Sequence, residues 1–182
     1  MVTETNKPYE LIEDFVTGRM IPNVGAEGHR QAVERFLVEK KGYAREDIEV
    51  DAPICFDVAD ETYRSTVDLV VSPDGGKTRL IAVKCAAASL GSREREILAA
   101  ARLLDDYQIP YCLVSDGRRV ILLETLTGKH LGGSWDDVPD KKTAAELAGR
   151  LERSPLPESR REKTKLIFRS YDTLNVNVAR KM

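Results

Sequence analysis

Two charged side chains stand inside apolar, β-branched runs of this 182-residue chain. Asp68 interrupts Thr66-Val67-Asp68-Leu69-Val70-Val71-Ser72, and Lys84 interrupts Leu80-Ile81-Ala82-Val83-Lys84-Cys85-Ala86. Aspartate and lysine are seldom buried unless they are paired or put to use. One use is metal-dependent hydrolysis of a phosphodiester. There, carboxylates hold Mg²⁺ or Mn²⁺, and a lysine orients water and stabilises charge. The same two residues equally suit a partly buried ion pair that neutralises itself.

Whether the two charges can meet depends on the turn between them. Pro73-Asp74-Gly75-Gly76-Lys77 is turn chemistry, so the flanking strands are expected to form an antiparallel hairpin. With Asp74 to Gly76 as a three-residue loop, Asp68 faces Ala82. Lys84 then lies diagonal to Asp68 on the same sheet face, roughly 7–8 Å away at Cβ. A two-residue loop would shift the pairing by one and put the charges on opposite faces.

The surrounding elements follow from apolar periodicity. Leu11, Ile12, Phe15 and Val16 suggest a short helix before Gly18 and Pro22. Val33, Phe36 and Leu37 mark a helix from Glu27 to Lys41, stopped at Gly42. Strands are expected over Ile48–Phe56, Thr66–Ser72 and Leu80–Ala86. A helix follows from about Ser92, a plausible N-cap, to Tyr107, with Ile97, Ala100, Ala101, Leu104 and Tyr107 on one face. Two more strands, Tyr111–Val114 and Val120–Glu124, turn at Ser115-Asp116-Gly117, and helices begin near Lys141 and Glu158. The order is that of an α/β sandwich around one mixed sheet.

Composition narrows the class. The hydrophobic fraction of 42% and charged fraction of 32% are ordinary for a globular domain, and the length fits one domain with a small appendage. No apolar run approaches the roughly 20 residues that span a bilayer. The N-terminus lacks the apolar core of a secretory signal, so a cytoplasmic location without membrane contact is expected. Cys55, Cys85 and Cys112 fall in strands without C-x-x-C spacing and read as reduced core residues, not zinc ligands. His29 and His130 are a hundred residues apart and are not expected to share a metal. A net charge of −2 does not announce a nucleic-acid binder. The tail is more basic, with Arg160, Arg161, Lys163, Lys165, Arg169, Arg180 and Lys181, and reads first as the solvated face of a terminal helix. Gly132-Gly133-Ser134 with Trp135 reads as a surface turn anchored by one aromatic.

Five short segments together resemble one known family. They are Glu27-Gly28-His29-Arg30-Gln31-Ala32-Val33, Phe36-Leu37-Val38-Glu39-Lys40-Lys41-Gly42-Tyr43, Val67-Asp68-Leu69-Val70-Val71, Leu80-Ile81-Ala82-Val83-Lys84-Cys85 and Tyr111-Cys112-Leu113-Val114-Ser115-Asp116-Gly117. In order and spacing they resemble the N-terminal nuclease domain of type I restriction enzyme R subunits, within the PD-(D/E)xK nuclease superfamily. The resemblance implies a restriction-endonuclease-like mixed β-sheet with an αβββαβ core and extra C-terminal helices. It implies an N-terminal extension over 1–25, a nuclease-like core over 26–139 and a helical appendage over 140–182 packed on that core. It also implies that Asp68 is a metal ligand, Lys84 the catalytic lysine and Glu27 a further metal carboxylate.

Ala82 stands where the family's second metal carboxylate belongs, and a methyl group cannot ligate a hard cation. Glu94 and Glu96, early in the following helix, and Glu34, a heptad after Glu27, are the alternative donors. The favoured expectation is a degenerate nuclease fold that binds nucleic acid or a protein partner without cutting. One alternative is an active Mg²⁺-dependent DNA endonuclease with a displaced glutamate. Another is an assembly module that docks a partner subunit or a second copy. No G-x-x-x-x-G-K-[ST] phosphate loop occurs in the 182 residues, so a DNA motor is expected on another polypeptide.

Overall fold

Five consecutive buried residues, Ile81 to Cys85, mark the strand around which the rest is built. A computed structural model describes residues 9–174. Its elements are β1 (Leu11–Glu13), β2 (Met20–Pro22), α1 (Glu27–Glu39), β3 (Ile48–Val58), β4 (Glu61–Val71), β5 (Ile81–Cys85), α2 (Glu94–Leu103), β6 (Tyr111–Ser115), β7 (Val120–Glu124), β8 (His130–Gly132), α3 (Lys141–Gly149) and α4 (Glu158–Asp172). Strands β3 to β8 form one sheet in sequential order. Every neighbouring pair is antiparallel except β5 and β6, which run parallel and are linked through α2. The protein is thus an α/β fold with a mixed six-stranded sheet and C-terminal helices, and α1, β3, β4, β5, α2 and β6 follow in the expected order.

Strand alternation sorts side chains onto two faces. Ile81, Val83 and Cys85 pack with Val33 and Leu37 of α1 and Ala144 of α3. Ala82 packs on the other face with Ile97, Ala100 and Ala101 of α2 and Phe168 of α4. Phe168 also sets its ring against Phe56 and Tyr63 on the β3–β4 arm.

That arm changes face at Asp51. Val50 pairs with Leu69 and Ala52 with Val67, the ladder skipping Asp51 and Asp68. Val50 and Leu69 belong to the α1 side, whereas Ala52 and Val67 belong to the α2 side. Asp51 has φ 53°, a left-handed conformation that aspartate tolerates better than most residues. Farther out, Ala59 and Asp60 both have positive φ and close the arm in a two-residue turn between Val58 and Glu61.

Several expectations need correction. The N-terminal segment is a two-stranded hairpin, β1 with β2, and not a helix. Asp14 accepts bonds from Thr17 N and Oγ1, and Gly18 has φ 72°, so the chain turns back before a helix can start. Ser92 does not cap α2. Its hydroxyl donates to Ser89 O within a 3₁₀ turn over Gly91–Arg93, and the helix ends at Leu103, short of Tyr107. Cys55 is exposed, because it alternates outward on β3, while Cys85 and Cys112 are buried as expected. All three thiols are free. β8 escaped prediction, being three residues of an edge strand with little apolar content. Trp135 stacks on Phe36 at 4.2 Å and donates from Nε1 to Arg118 O, the anchored turn that was expected. On α4, Arg161, Lys165 and Arg169 pair with Glu158, Glu162 and Glu61. Arg180 and Lys181 lie outside the described residues. Among the described residues, no helix is long and apolar enough to cross a membrane.

Candidate functional site

Lys84 is the one charged residue of β5, and its alternation turns it toward α2 beside Ala82. The β4–β5 ladder pairs Val70 with Ala82 and Leu69 with Val83, which puts Asp68 directly opposite Lys84. This corrects the expected register, in which Asp68 faced Ala82. The connection is longer than three residues, because β4 ends at Val71 and β5 begins only at Ile81. Asp74 occupies that loop by accepting bonds from Lys77 N and Thr78 N. The shift is two residues, so the charges keep a common face and move closer.

Asp68 Oδ1 lies 3.5 Å from Lys84 Nζ, and Asp68 Oδ2 accepts the Cys85 backbone N–H at 2.7 Å. The carboxylate thus takes a backbone donor where the two strands part. The second carboxylate comes from the helix. Glu96, in the first turn of α2, places Oε1 3.1 Å from Lys84 Nζ, while Oε2 is held by Arg93 Nη1 at 3.2 Å. Asp68 and Glu96 are each 2% exposed and Lys84 is 8% exposed. Burial pushes the Lys84 ammonium toward neutrality. The charges of Asp68, Glu96 and Asp172 outweigh it and hold the pKa above the ordinary lysine value.

Asp172 and Tyr63 extend this buried polar cluster and were not foreseen. Asp172 Oδ2, at the end of α4, accepts the Tyr63 hydroxyl at 2.5 Å. Burial, then the Asp172 bond, raises the Tyr63 pKa, so the phenol stays protonated. The signal for Asp172 was present, since Thr164, Phe168 and Asp172 repeat every four residues and are the buried stripe of α4. Tyr63 gave no such signal, being a half-buried residue in the outer part of β4.

The other expected carboxylates lie elsewhere. Glu94 Oε2 pairs with His130 Nε2 at 2.9 Å. Glu27 belongs to a second buried network on α1, where its Oε1 accepts Arg30 Nε at 2.6 Å and Gln31 Nε2 at 3.2 Å. Arg30 also meets Asp14 at 3.0 Å and lies 3.7 Å from both Glu34 and Asp51. Gln31 and Glu34 accept Phe15 N and Val16 N, which ties the β1–β2 hairpin to α1. Burial, partly offset by Arg30, raises the Glu34 pKa to about 7. Glu34 is therefore engaged in folding contacts and not near Lys84. His130 meets Glu94, while His29 lies on α1. Among the described residues, no group of three or more His, Cys, Asp or Glu side chains is arranged to hold a metal ion.

Asp68 and Glu96 nonetheless suit Mg²⁺ or Mn²⁺ chemically. Mg²⁺ commonly takes one or two carboxylates and completes its shell with water and substrate oxygens. Both carboxylates reach the same ammonium, and each is fixed through its second oxygen by Cys85 N or Arg93.

Neither the curated proteins nor the solved structures contain a significant match to the chain. Residues 25–139, by contrast, match the sequence profile of the family described as type I restriction enzyme R protein N terminus. That stretch runs from the entry of α1 past β8 and carries Asp68, Lys84 and Glu96, while α3 and α4 lie beyond it. Covering more than half of the sequence, the match identifies the protein as a member of the type I restriction enzyme R protein N-terminal family.

Proposed function

We propose that this domain is a divalent-cation-dependent nuclease whose second acidic residue has moved from the central strand to α2. The observation that carries the reading is the convergence of Asp68 and Glu96 on the Lys84 ammonium, at 3.5 and 3.1 Å. Burying three charges together is costly, and apolar side chains of similar volume would commonly serve stability as well or better. Such a cluster invites a functional reason.

Asp68 and Glu96 would hold Mg²⁺ or Mn²⁺, which when bound supplies a Lewis acid for a phosphate oxygen and a water of lowered pKa. The chain's own residues set the rest. Lys84, held protonated by its neighbours, cannot serve as a general base at neutral pH. It acts as a fixed positive charge beside the phosphate as negative charge develops. Cys85 N and Arg93 keep the two carboxylates aimed, so little reorganisation is needed. Tyr63, protonated and bonded to Asp172, packs its ring against Phe168 beside the charges. DNA is the favoured substrate, on the family resemblance.

A degenerate, non-cutting domain is the second reading. Ala82 is fully buried among apolar neighbours, and the three charges are nearly covered, which favours it. The two readings part in one experiment. Wild type, Asp68→Asn and Glu96→Gln are assayed for Mn²⁺ binding by calorimetry and for cleavage of single- and double-stranded DNA with Mg²⁺ or Mn²⁺. Metal binding and cleavage by wild type, both lost in either variant, support the nuclease. Wild type that neither binds Mn²⁺ nor cuts would leave the degenerate reading.

A further inference from the structure

Because β5 and β6 run parallel, the chain leaves both at the same edge of the sheet. In open α/β sheets, ligands tend to settle beyond the carboxyl ends of such strands. A cleft of about 670 Å³ opens there, lined by His29, Ala87, Ala88, Ser89, Gly91 and Arg119 among others. A neighbouring hollow of about 420 Å³ is lined by Gly28, Ala32, Gly117 and Arg118. His29 and Asp116 line both, so the two hollows meet around the turn that follows β6. Ala87 is three residues beyond Lys84.

The turn is braced from several sides. The Asp116 carboxylate accepts Arg118 N, Arg119 N and Arg119 Nε at 3.0, 2.7 and 2.9 Å. Ser115 Oγ donates to Arg119 O, and Trp135 Nε1 donates to Arg118 O. Gly117 has φ 86°, and a Cβ there would sit 2.9 Å from Ala32 Cβ, so the turn lies against α1. Burial raises the Asp116 pKa, but the bonds from Arg119 and Arg118 N together outweigh it and hold the carboxyl at about 2, so it remains a charged partner for Arg119. Arg118 then stands as surplus positive charge: it is exposed and, among the described residues, forms no ion pair. His29 Nδ1 is buried without a hydrogen-bond partner. The opposite wall is made of small residues, which let an extended backbone lie close.

We propose that this groove seats another phosphate of the nucleic-acid strand presented to Lys84. Arg118 and Arg119 form its cationic wall, and His29 and Ser89 its hydrogen-bonding side. Two joined hollows suit a chain passing through better than a compact anion. The inference rests on the reading of Asp68, Lys84 and Glu96 as a phosphodiester site.

The test is binding of fluorescein-labelled single-stranded DNA and RNA of about 20 nucleotides, longer than a typical single-strand site. The full chain is used in EDTA, so that nothing is cut, and anisotropy is followed across a salt series. Arg118→Ala, which removes a side chain without touching the turn's bonds, is expected to weaken binding about 3- to 10-fold. It should also flatten the salt dependence by about 0.7 in log–log slope, one single-strand phosphate contact. Arg118→Glu should weaken binding further, whereas Lys163→Ala on the exposed face of α4 should change nothing. Stronger loss on RNA or on DNA identifies the source of the phosphate. The proposal is overturned if wild type does not bind, if Arg118→Glu binds like wild type, or if Lys163→Ala costs as much as Arg118→Ala. Cleavage abolished by Glu96→Gln with binding indifferent to Arg118 would sink the groove alone. Binding that depends on Arg118 in a protein that never cuts would sink the nuclease alone.

Discussion

Lys84→Met removes the ammonium between Asp68 and Glu96 while keeping the length and apolar stem of the side chain. At an effective dielectric of about 20, attractions over the observed 3.1 and 3.5 Å are each about 5 kcal/mol before desolvation. Methionine no longer has to dehydrate a charge, which returns several kcal/mol. Breaking a buried pair from one side typically costs about 3–5 kcal/mol, because the partner is left uncompensated. Asp68 keeps Cys85 N and Glu96 keeps Arg93, so the lower end, about 3 kcal/mol at neutral pH and above, is expected. The pH dependence is the sharper signature. In wild type the Lys84 pKa is raised, so its contribution is complete below the ordinary lysine pKa and is lost only as pH rises through the folded value. That leaves it constant from about pH 5 to about pH 8. In the variant two carboxylates share the site without a cation, and one takes up a proton more readily than in the unfolded chain. The native variant then binds more protons than the unfolded state, so its deficit shrinks as pH falls. Urea unfolding of both proteins at about pH 5, 6.5 and 8 measures this. A deficit below about 1 kcal/mol at pH 8, or one independent of pH, would refute a buried triad.

Other perturbations test separate parts of the fold. The Glu34 pKa, raised to about 7 from an unfolded value near 4.5, makes stability fall as pH rises through that window. Glu34→Gln should remove about 3 kcal/mol of this pH-dependent change, read as a flatter plot of urea midpoint against pH. Gly117→Ala places a Cβ against Ala32 at positive φ and should cost about 1–3 kcal/mol in thermal unfolding. Phe168→Ala should cost about 3–5 kcal/mol and speed amide exchange in α2, because Phe168 joins α4 to the α2 side of the sheet. Ala82→Glu restores a carboxylate in the strand but should lower stability by at least about 1–3 kcal/mol through overpacking alone. A stable Ala82→Glu protein, by equilibrium unfolding, would show that α2 leaves room there.

The order of helices and strands was legible because periodicity and turn residues agreed over Glu27–Glu124. The strand pair carrying Asp68 and Lys84 was legible in type but not in register. Asp74 captures two backbone amides and lengthens the connection, an effect that Pro-Asp-Gly-Gly composition does not specify. The start of β4 was missed because Ala59 and Asp60 adopt positive φ without a glycine to announce the turn. At the site, Asp68, Lys84 and Glu96 were all nameable from the sequence, but their convergence was not. Glu94 and Glu96 share the first turn of one helix, and only burial distinguishes the one that faces Lys84 from the one that meets His130. Arg30 was hidden for a similar reason. An arginine in an amphipathic helix reads as solvated until Asp14 and Glu27 surround it.

The proposed relocation of the acid would have a geometric basis. From Ala82 to Lys84 the strand advances about 6.6 Å, and from Ala100 back to Glu96 the helix spans about 6 Å. A crossover helix between parallel strands runs antiparallel to them, so Ala100 and Glu96 lie over β5 in the order that Ala82 and Lys84 occupy beneath. Ala82 and Ala100 are small residues of the same buried cluster between the sheet and α2. Across that contact a helical glutamate reaches Lys84 at 3.1 Å. A glutamate at position 82 is expected to push α2 away from the sheet and to draw Glu96 away from Lys84. On the proposed reading, the alanine and the helical acid are two parts of one arrangement, and Ala82→Glu tests them together.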